Sequence, residues 1–130
     1  MLPAVALVTV AVAVRAEQGQ LSMSQDTMDI LDRIRRRGIV PVVILDKEDL
    51  AEPLAETFLA AGLDIMEVTF RTEIAEAAIR RVTARFPGML VGAGMVLQTE
   101  ELKCAVGAGA QFIVAPGLNE DVVTASRQAG

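Results

Sequence analysis

Apolar residues recur in four short runs along the chain, and each run follows a glycine and precedes a polar residue that can begin a helix. The glycines are Gly38, Gly62, Gly88 and Gly109, and the runs cover residues 39–45, 63–70, 89–96 and 112–115. Each glycine comes after a helix-like segment, as expected for a residue that ends a helix in the left-handed conformation. The predicted helix starts are Asp46, Thr72, Thr99 and Asn119.

This repeat predicts an α/β fold in which parallel strands are joined by helices. The runs are mostly apolar on both faces, as in strands that are covered by helices. Pro41 lies inside the first run and has no N–H for the sheet, which predicts an irregular first strand. Gly130 comes 21 residues after Gly109 and follows another helix-like segment. The spacing therefore predicts that a fifth strand would come after Gly130.

The second run carries polar residues that ordinary packing does not explain. Alternation along a strand places Glu67, Thr69 and Arg71 on one face. Burying such groups without partners is costly, so they predict a site for a polar ligand at the carboxyl end of the strand. The alternative is the polar face of a half-exposed strand. Leu63 and Ile65 share that face, which favours the site.

Two further segments lie at strand ends. Gly92-Ala93-Gly94 would let the backbone approach a ligand closely, but Leu97 stands where a dinucleotide fingerprint has its third glycine. This counts against a nucleotide-binding domain, which is the weakest alternative. Pro116-Gly117 is most simply a turn. All of these residues fall at the carboxyl ends of strands, where α/β folds have their sites.

Composition and charge narrow the function classes. The chain has 130 residues, is 52% hydrophobic and has a formal net charge of −5, which fits one domain with a sizeable core. A net acidic chain argues against a nucleic-acid partner. The basic cluster consists of Arg33, Arg35, Arg36 and Arg37. We favour an interaction of these cations with the dipole of the helix that they end, over a phosphate-binding role.

The single cysteine and the absence of histidine limit the possible chemistry. One cysteine allows no internal disulfide, so we expect a cytoplasmic protein. Cys104 lies among Leu102 and Ala105 in a predicted helix, and we expect it to be a small buried core residue. Without histidine the chain lacks the usual general base and the commonest metal ligand, and we expect no metal site.

The first 22 residues differ from the rest. Residues 2–14 form an apolar run that is too short to span a bilayer and that no basic segment precedes. Residues 11–13 resemble a signal cleavage site, so a signal peptide or membrane anchor remains an alternative. We favour an upstream stretch added by an early start, because Met23 precedes a helix-like opening. We therefore expect residues 1–22 to lie outside the fold and residues 23–130 to form the domain.

Four segments in order carry a resemblance to a known family. They are GIVPV at 38–42, EVTFRTE at 67–73, VGAGMVL at 91–97 and GAGAQFIVAPG at 107–117. The series closely resembles the 2-keto-3-deoxy-6-phosphogluconate (KDPG) / 4-hydroxy-2-oxoglutarate (KHG) aldolases, over about residues 28 to 130. The resemblance implies a TIM-type (β/α)8 barrel, usually trimeric, of which this chain would be the first four units, truncated.

The family also implies an activity and a set of site residues. The reaction is a class I aldol cleavage through a lysine Schiff base, without metal or other cofactor. It releases pyruvate together with glyceraldehyde 3-phosphate or glyoxylate. Glu67 matches the general acid/base, Arg71 the residue that binds the keto acid carboxylate, and Pro116 a residue that lines the pocket. We expect Thr69, Gly94 and Met95 to contact substrate as well.

This sequence departs from the family in two ways. Met95 stands where the family usually has a threonine, and methionine cannot donate a hydrogen bond to the keto acid. The Schiff-base lysine of the family lies on the sixth strand, and we expect Lys47 and Lys103 to be solvated surface residues instead. The chain is therefore expected to be the N-terminal half of an aldolase, inactive alone. The alternative is a non-catalytic half-barrel that associates with itself through its open edges.

Overall fold

The computed structural model describes residues 25–130. The elements are α1 (Gln25–Arg37), β1 (Val42–Val43), α2 (Ala51–Ala60), β2 (Ile65–Thr69), α3 (Ala75–Arg85), β3 (Leu90–Gly94), α4 (Thr99–Gly107), β4 (Phe112–Ile113) and α5 (Glu120–Ala129). A short 3-10 helix, Glu48–Leu50, precedes α2. The extension expected at residues 1–22 lies outside the described residues.

Four parallel strands form one sheet in the order β1-β2-β3-β4, so the predicted parallel βα repeat is confirmed. The longest pairing joins β2 to β3, with Glu67 opposite Gly92 and Thr69 opposite Gly94. Phe112 of β4 stands opposite Gly92 on the other side of β3. Because neighbours in register share a face, Glu67, Gly92 and Phe112 form one row across the sheet.

The helices cover one face of this sheet and form the hydrophobic core with it. The residues on that face, from the strands and the segments next to them, are Val43, Leu45, Met66, Val68, Met89, Val91, Ala93 and Ile113. They pack with apolar side chains of α2, α3 and α4, among them Ala55, Ile79, Val82 and Leu102. Glu67 and Thr69 alternate with these residues along β2, so their side chains lie on the opposite face.

The strands are shorter than the apolar runs that predicted them. β1 has two residues because Pro41 has no N–H, although its carbonyl accepts a bond from Glu67 N at 2.9 Å. Gly38, Gly62 and Gly109 have the expected positive φ, at 70°, 81° and 97°. The same expectation for Gly88 is wrong. Helix α3 has already ended at Phe86, with φ −128°, and a proline follows at position 87.

The predicted helix starts had mixed outcomes. Asn119 caps α5 as expected, and its side chain accepts bonds from the backbone of Asp121 and Val122 at 3.0 and 3.3 Å. Thr99 is already the first helical residue of α4, so the cap lies one position earlier. The Thr72 hydroxyl does not cap α3, since it donates to the Leu45 carbonyl at 2.7 Å. That bond ties the end of β2 to the segment after β1.

The basic end of α1 lies at the amino ends of the central strands. Arg33 donates to the side chain and carbonyl of Asp64, at 2.8 and 3.2 Å, and to the carbonyl of Gly88. Arg37 Nε lies 2.5 Å from Asp64 Oδ1. Burial of Asp64 raises its pKa, but hydrogen bonds from Arg37 and Arg33 outweigh this and hold it below the ordinary value. The arginines thus attach α1 to the chain just before β2 and β3.

The expectation that Cys104 is buried is wrong, because its side chain is exposed. Helix α4 turns Leu102 and Ala105 towards the core. These two positions are three residues apart and share a helix face, whereas Cys104 projects about 200° around the helix from Leu102. Apolar neighbours in the sequence therefore did not indicate which way the thiol points.

Candidate active site

Glu67 is the buried carboxylate on the face of the sheet opposite the helices. It lies in the middle of β2 and is 5% exposed. No hydrogen bond or ion pair of its carboxylate is found within residues 28–130, and burial raises the pKa of Glu67 above its ordinary value. A carboxyl group that keeps its proton to higher pH suits proton transfer near neutrality.

Two glycines of β3 make room for large side chains from the neighbouring strands. An ideal Cβ on Gly94 would lie 1.9 Å from Glu67 Oε1, so the carboxylate occupies the space above this glycine. An ideal Cβ on Gly92 would lie 2.2 Å from two ring atoms of Phe112. The G-x-G segment therefore admits the protein's own side chains, and one of them is the candidate acid/base residue.

Thr69 lies two residues after Glu67 on the same face of β2 and is 2% exposed. Its hydroxyl donates to the carbonyl of Val43 at 3.1 Å. With its proton used in this way, the Thr69 oxygen can only accept from a ligand. This side-chain hydrogen bond adds to the backbone pairing between β2 and the two-residue strand β1.

Arg71 and Met95 meet where β2 and β3 end. β2 stops at Thr69, so Arg71 lies beyond the strand and is exposed. Its Nη2 atom is 4.0 Å from Met95 Sδ. Met95 has φ +55°, and it is the one described residue other than glycine with a positive value. Backbone in this conformation is costly for a residue with a side chain, and such positions are concentrated at functional sites.

Pro116 lies in a groove at the carboxyl ends of β3 and β4. The groove is ≈ 310 Å³ and is lined by Val96, Leu97, Ala115, Pro116, Gly117, Leu118 and Asn119. Asn119 spans it by donating to the Leu97 carbonyl at 3.0 Å. The groove directly follows Met95 in the chain. The predicted site residues thus all lie on β2 or at the carboxyl ends of β2, β3 and β4.

Phe112 lies beside the candidate site, and local sequence reasoning does not identify it. It is the first residue of β4, where the local pattern predicts only an ordinary strand residue. The available signal was the glycine at position 92, since a glycine inside a strand often marks a close approach by another group. Only the pairing of β3 with β4 identifies that group as Phe112.

Within the part of the chain that the structure describes, no cluster of three or more acidic, cysteine or histidine side chains is placed to hold a metal ion. In the same part, no helix is both long enough and apolar enough to cross a membrane.

Comparison with known proteins decides the family. Residues 30–129 match the KDPG and KHG aldolase family. The chain belongs to this aldolase family. The 2-dehydro-3-deoxy-phosphogluconate aldolase of Haemophilus influenzae is 45% identical over 101 residues, which are 78% of this chain and 48% of that protein. The KHG/KDPG aldolase of Escherichia coli K12 is 41% identical over 90 residues, 69% of this chain and 42% of that protein.

Solved aldolases share the fold. The KDPG aldolase of Legionella pneumophila, with pyruvate captured as a covalent carbinolamine intermediate, superposes with a TM-score of 0.66 at 35% identity, over 68% of this chain and 43% of that one. The KDPG aldolase of Zymomonas mobilis gives 0.63 at 39% identity, over 68% and 43%. These aldolases are TIM-type barrels, so the predicted fold class is confirmed. The chain spans less than half the length of these relatives.

Proposed function

We propose that this chain carries the proton-transfer and carboxylate-binding residues of a class I aldolase that cleaves KDPG, KHG or both. One observation carries the proposal. Glu67 is buried on the face opposite the helices, with its carboxylate against Gly94, one residue before the point where Met95 contacts Arg71. The names of the relatives support the substrate class, and the captured carbinolamine in the Legionella pneumophila aldolase supports the covalent route.

In this proposal Glu67 moves the protons. When a lysine amine adds to the keto carbon, the hydroxyl of the resulting carbinolamine must be protonated before it leaves as water. The neutral Glu67 carboxyl can supply that proton, and its carboxylate form can then accept the proton of the aldol hydroxyl as the carbon–carbon bond breaks. The raised pKa of Glu67 favours the first of these tasks. In a class I cleavage the lysine imine accepts the electron pair of the breaking carbon–carbon bond, so we propose no cofactor.

Arg71 is proposed to bind the carboxylate of the keto acid. Its guanidinium is exposed beyond the end of β2, and among residues 28–130 its one side-chain contact with a polar atom is the long one to Met95 Sδ. The donors of the guanidinium fork are therefore available for a bidentate pair with a carboxylate. Met95 offers a thioether where the family usually has a hydroxyl, so we expect Arg71 to bear more of the binding.

We propose that these 130 residues do not complete a catalytic cycle alone, because neither lysine suits the role of nucleophile. Lys103 lies on α4 and pairs with Glu100 at 2.8 Å. Lys47 is exposed beside Asp46 and Glu48. A lysine that forms a Schiff base needs a site shielded from solvent, whereas both lysine side chains lie on the exposed surface.

Borohydride reduction in the presence of pyruvate tests the absence of a nucleophile. We expect mass spectrometry to find no pyruvyl adduct on the chain, with the KDPG aldolase of Legionella pneumophila, which captures pyruvate covalently, as the positive control. A stoichiometric adduct on Lys47 or Lys103 would overturn the proposed inactivity.

Pyruvate binding tests the site itself. We expect NMR titration with pyruvate to shift the amide signals of Arg71 and Met95, and Arg71→Lys to weaken binding about tenfold through loss of the bidentate pair. Arg81→Lys is the matched control, because Arg81 pairs with Glu52 on the helix side of the molecule. Equal pyruvate affinity in both variants would refute the role of Arg71.

Self-association is a second candidate function, favoured by exposed apolar residues at one edge of the sheet. Val42 and Ile44 are 47% and 53% exposed, and β1 and β4 each have one unpaired edge among the described strands. Pairing of two copies would cover both features. Light scattering on a size-exclusion column checks this: a dimer at micromolar concentration supports it, and a clean monomer contradicts it.

A further inference from the structure

The side chains of Glu67 and Phe112 approach β3 from opposite sides. Glu67 on β2 and Phe112 on β4 are both in register with Gly92. Since all three residues share one face of the sheet, both side chains compete for the space above Gly92. The structure shows which of them fills it: ring atoms Cε2 and Cζ of Phe112 lie 2.2 Å from the position of an ideal Gly92 Cβ.

The Glu67 side chain is directed to the next position along β3. Its Oε1 atom lies 1.9 Å from an ideal Gly94 Cβ, and its Cδ lies 2.7 Å from the same point. Gly94 is two residues nearer the carboxyl end of β3, where Met95 and the Pro116 groove begin. The carboxylate thus leaves its own row and points towards the edge where a substrate would enter.

We propose that Phe112 is a positioning residue for Glu67: its ring fills the space above Gly92 and so directs the Glu67 carboxylate over Gly94, towards the carboxyl edge of the sheet. The two glycines have different tasks in this arrangement. Gly92 admits the ring, and Gly94 admits the carboxylate. Without the ring, the space above Gly92 would be open to the carboxylate and to water.

This inference rests on the proposed function only in assigning a catalytic role to Glu67. The placement of its side chain can be measured on the 130-residue chain without any turnover. A failed borohydride or pyruvate experiment would leave the placement intact, whereas a wrong placement would show directly in the structure of the chain in solution.

The wild-type protein provides the first test. We expect NOEs from the Phe112 ring to the Gly92 Hα protons, and from the Glu67 side chain to the Gly94 Hα protons. Absence of either NOE in the folded chain overturns the proposal without reference to any variant.

Three variants provide the second test. Phe112→Leu removes the ring, Phe112→Tyr keeps it, and Phe86→Leu is a control at a phenylalanine that packs on the helix side. For Phe112→Leu we expect loss of the Glu67–Gly94 NOE and a fall in the Glu67 pKa towards its ordinary value, followed by carboxyl ¹³C shift. For Phe112→Tyr and Phe86→Leu we expect wild-type behaviour.

The opposite result is equally clear. If Phe112→Leu keeps both the NOE and the titration of the wild type, the ring has no part in positioning Glu67. If Phe112→Leu does not fold, Gly92→Ala replaces it, because the added methyl group displaces the ring. A wild-type Glu67 titration in that variant would contradict the proposal in the same way.

Discussion

The Glu67 carboxylate lies in the space that a side chain on Gly94 would need, with 1.9 Å between Oε1 and the position of an ideal Cβ. The two residues are on neighbouring parallel strands, and Gly94 is opposite Thr69 rather than opposite Glu67. The carboxylate therefore crosses diagonally to β3. A glycine is required at this point because an acid from β2 fills the volume.

Gly94→Ala should disturb Glu67 directly. The new methyl group cannot coexist with the carboxylate, and we expect a loss of about 1–3 kcal/mol in the free energy of unfolding, measured by urea denaturation. Gly107→Ala is the control, since no atom lies within 4 Å of its ideal Cβ and its φ is not positive. That variant should be neutral or slightly more stable, by up to about 1 kcal/mol. Equal effects at the two glycines would contradict the close approach.

The raised pKa of Glu67 predicts a pH dependence of stability. Between the ordinary value of 4.5 and the higher folded value, the folded chain keeps a proton that the unfolded chain has lost. The free energy of unfolding therefore falls as pH rises through this window and levels off above it. Glu67→Gln lacks this term, so its stability relative to wild type should increase from pH 4 to pH 8. A constant difference across urea titrations in that range would show that Glu67 titrates normally.

Asp64 should show the opposite dependence. Its folded pKa lies below the ordinary value of 3.8, so its contribution to stability is complete above pH 3.8 and is lost as pH falls through the folded pKa. We expect Asp64→Asn to lower the free energy of unfolding by about 1–3 kcal/mol at pH 7, because hydrogen bonds to a charged group are lost. The difference from wild type should shrink below pH 3.8.

Asp32→Asn is the matched control for Asp64. Asp32 pairs with Arg36 one helical turn away, at 2.7 Å, with both side chains more than half exposed. Exposed pairs of this kind contribute about 0.5 kcal/mol or less. A cost for Asp32→Asn as large as that for Asp64→Asn would mean that burial of the Asp64 pairs is unimportant.

The Thr72 hydroxyl should matter more than an exposed threonine on a helix. Thr72→Val removes the bond to the Leu45 carbonyl, and we expect a cost of about 1–2 kcal/mol together with faster amide exchange in β1. Thr57→Val is the control, since its hydroxyl bonds the carbonyl of Pro53 within the exposed surface of α2. Unchanged exchange in β1 of the Thr72 variant would rule out an attachment through this hydroxyl.

The sequence predicts most of the architecture because glycine and capping residues act locally. The positive φ at Gly38, Gly62 and Gly109 and the cap at Asn119 follow from the chemistry of single residues. The predictions fail where another residue determines the local conformation. The sequence pattern predicts a helix end at Gly88, although α3 has already ended before the proline at position 87.

The sequence predicts only part of the candidate site, because some of its features depend on residues that are distant in sequence. That Glu67 and Thr69 share one face follows from alternation within β2, and both are buried there. Alternation does not extend to Arg71, because the strand ends at Thr69 and the side chain is exposed. The position of Phe112 depends on a strand that is 20 residues away from Gly92 in sequence, so no local pattern contains it.

The attachment of α1 makes its stability depend on two strands that are distant in sequence. Arg33 bonds Asp64 and Gly88, which lie 31 and 55 residues further along the chain. These two partners lie side by side because β2 and β3 are paired. A change that separates β2 from β3 should therefore also release α1, although it is remote from the helix in sequence.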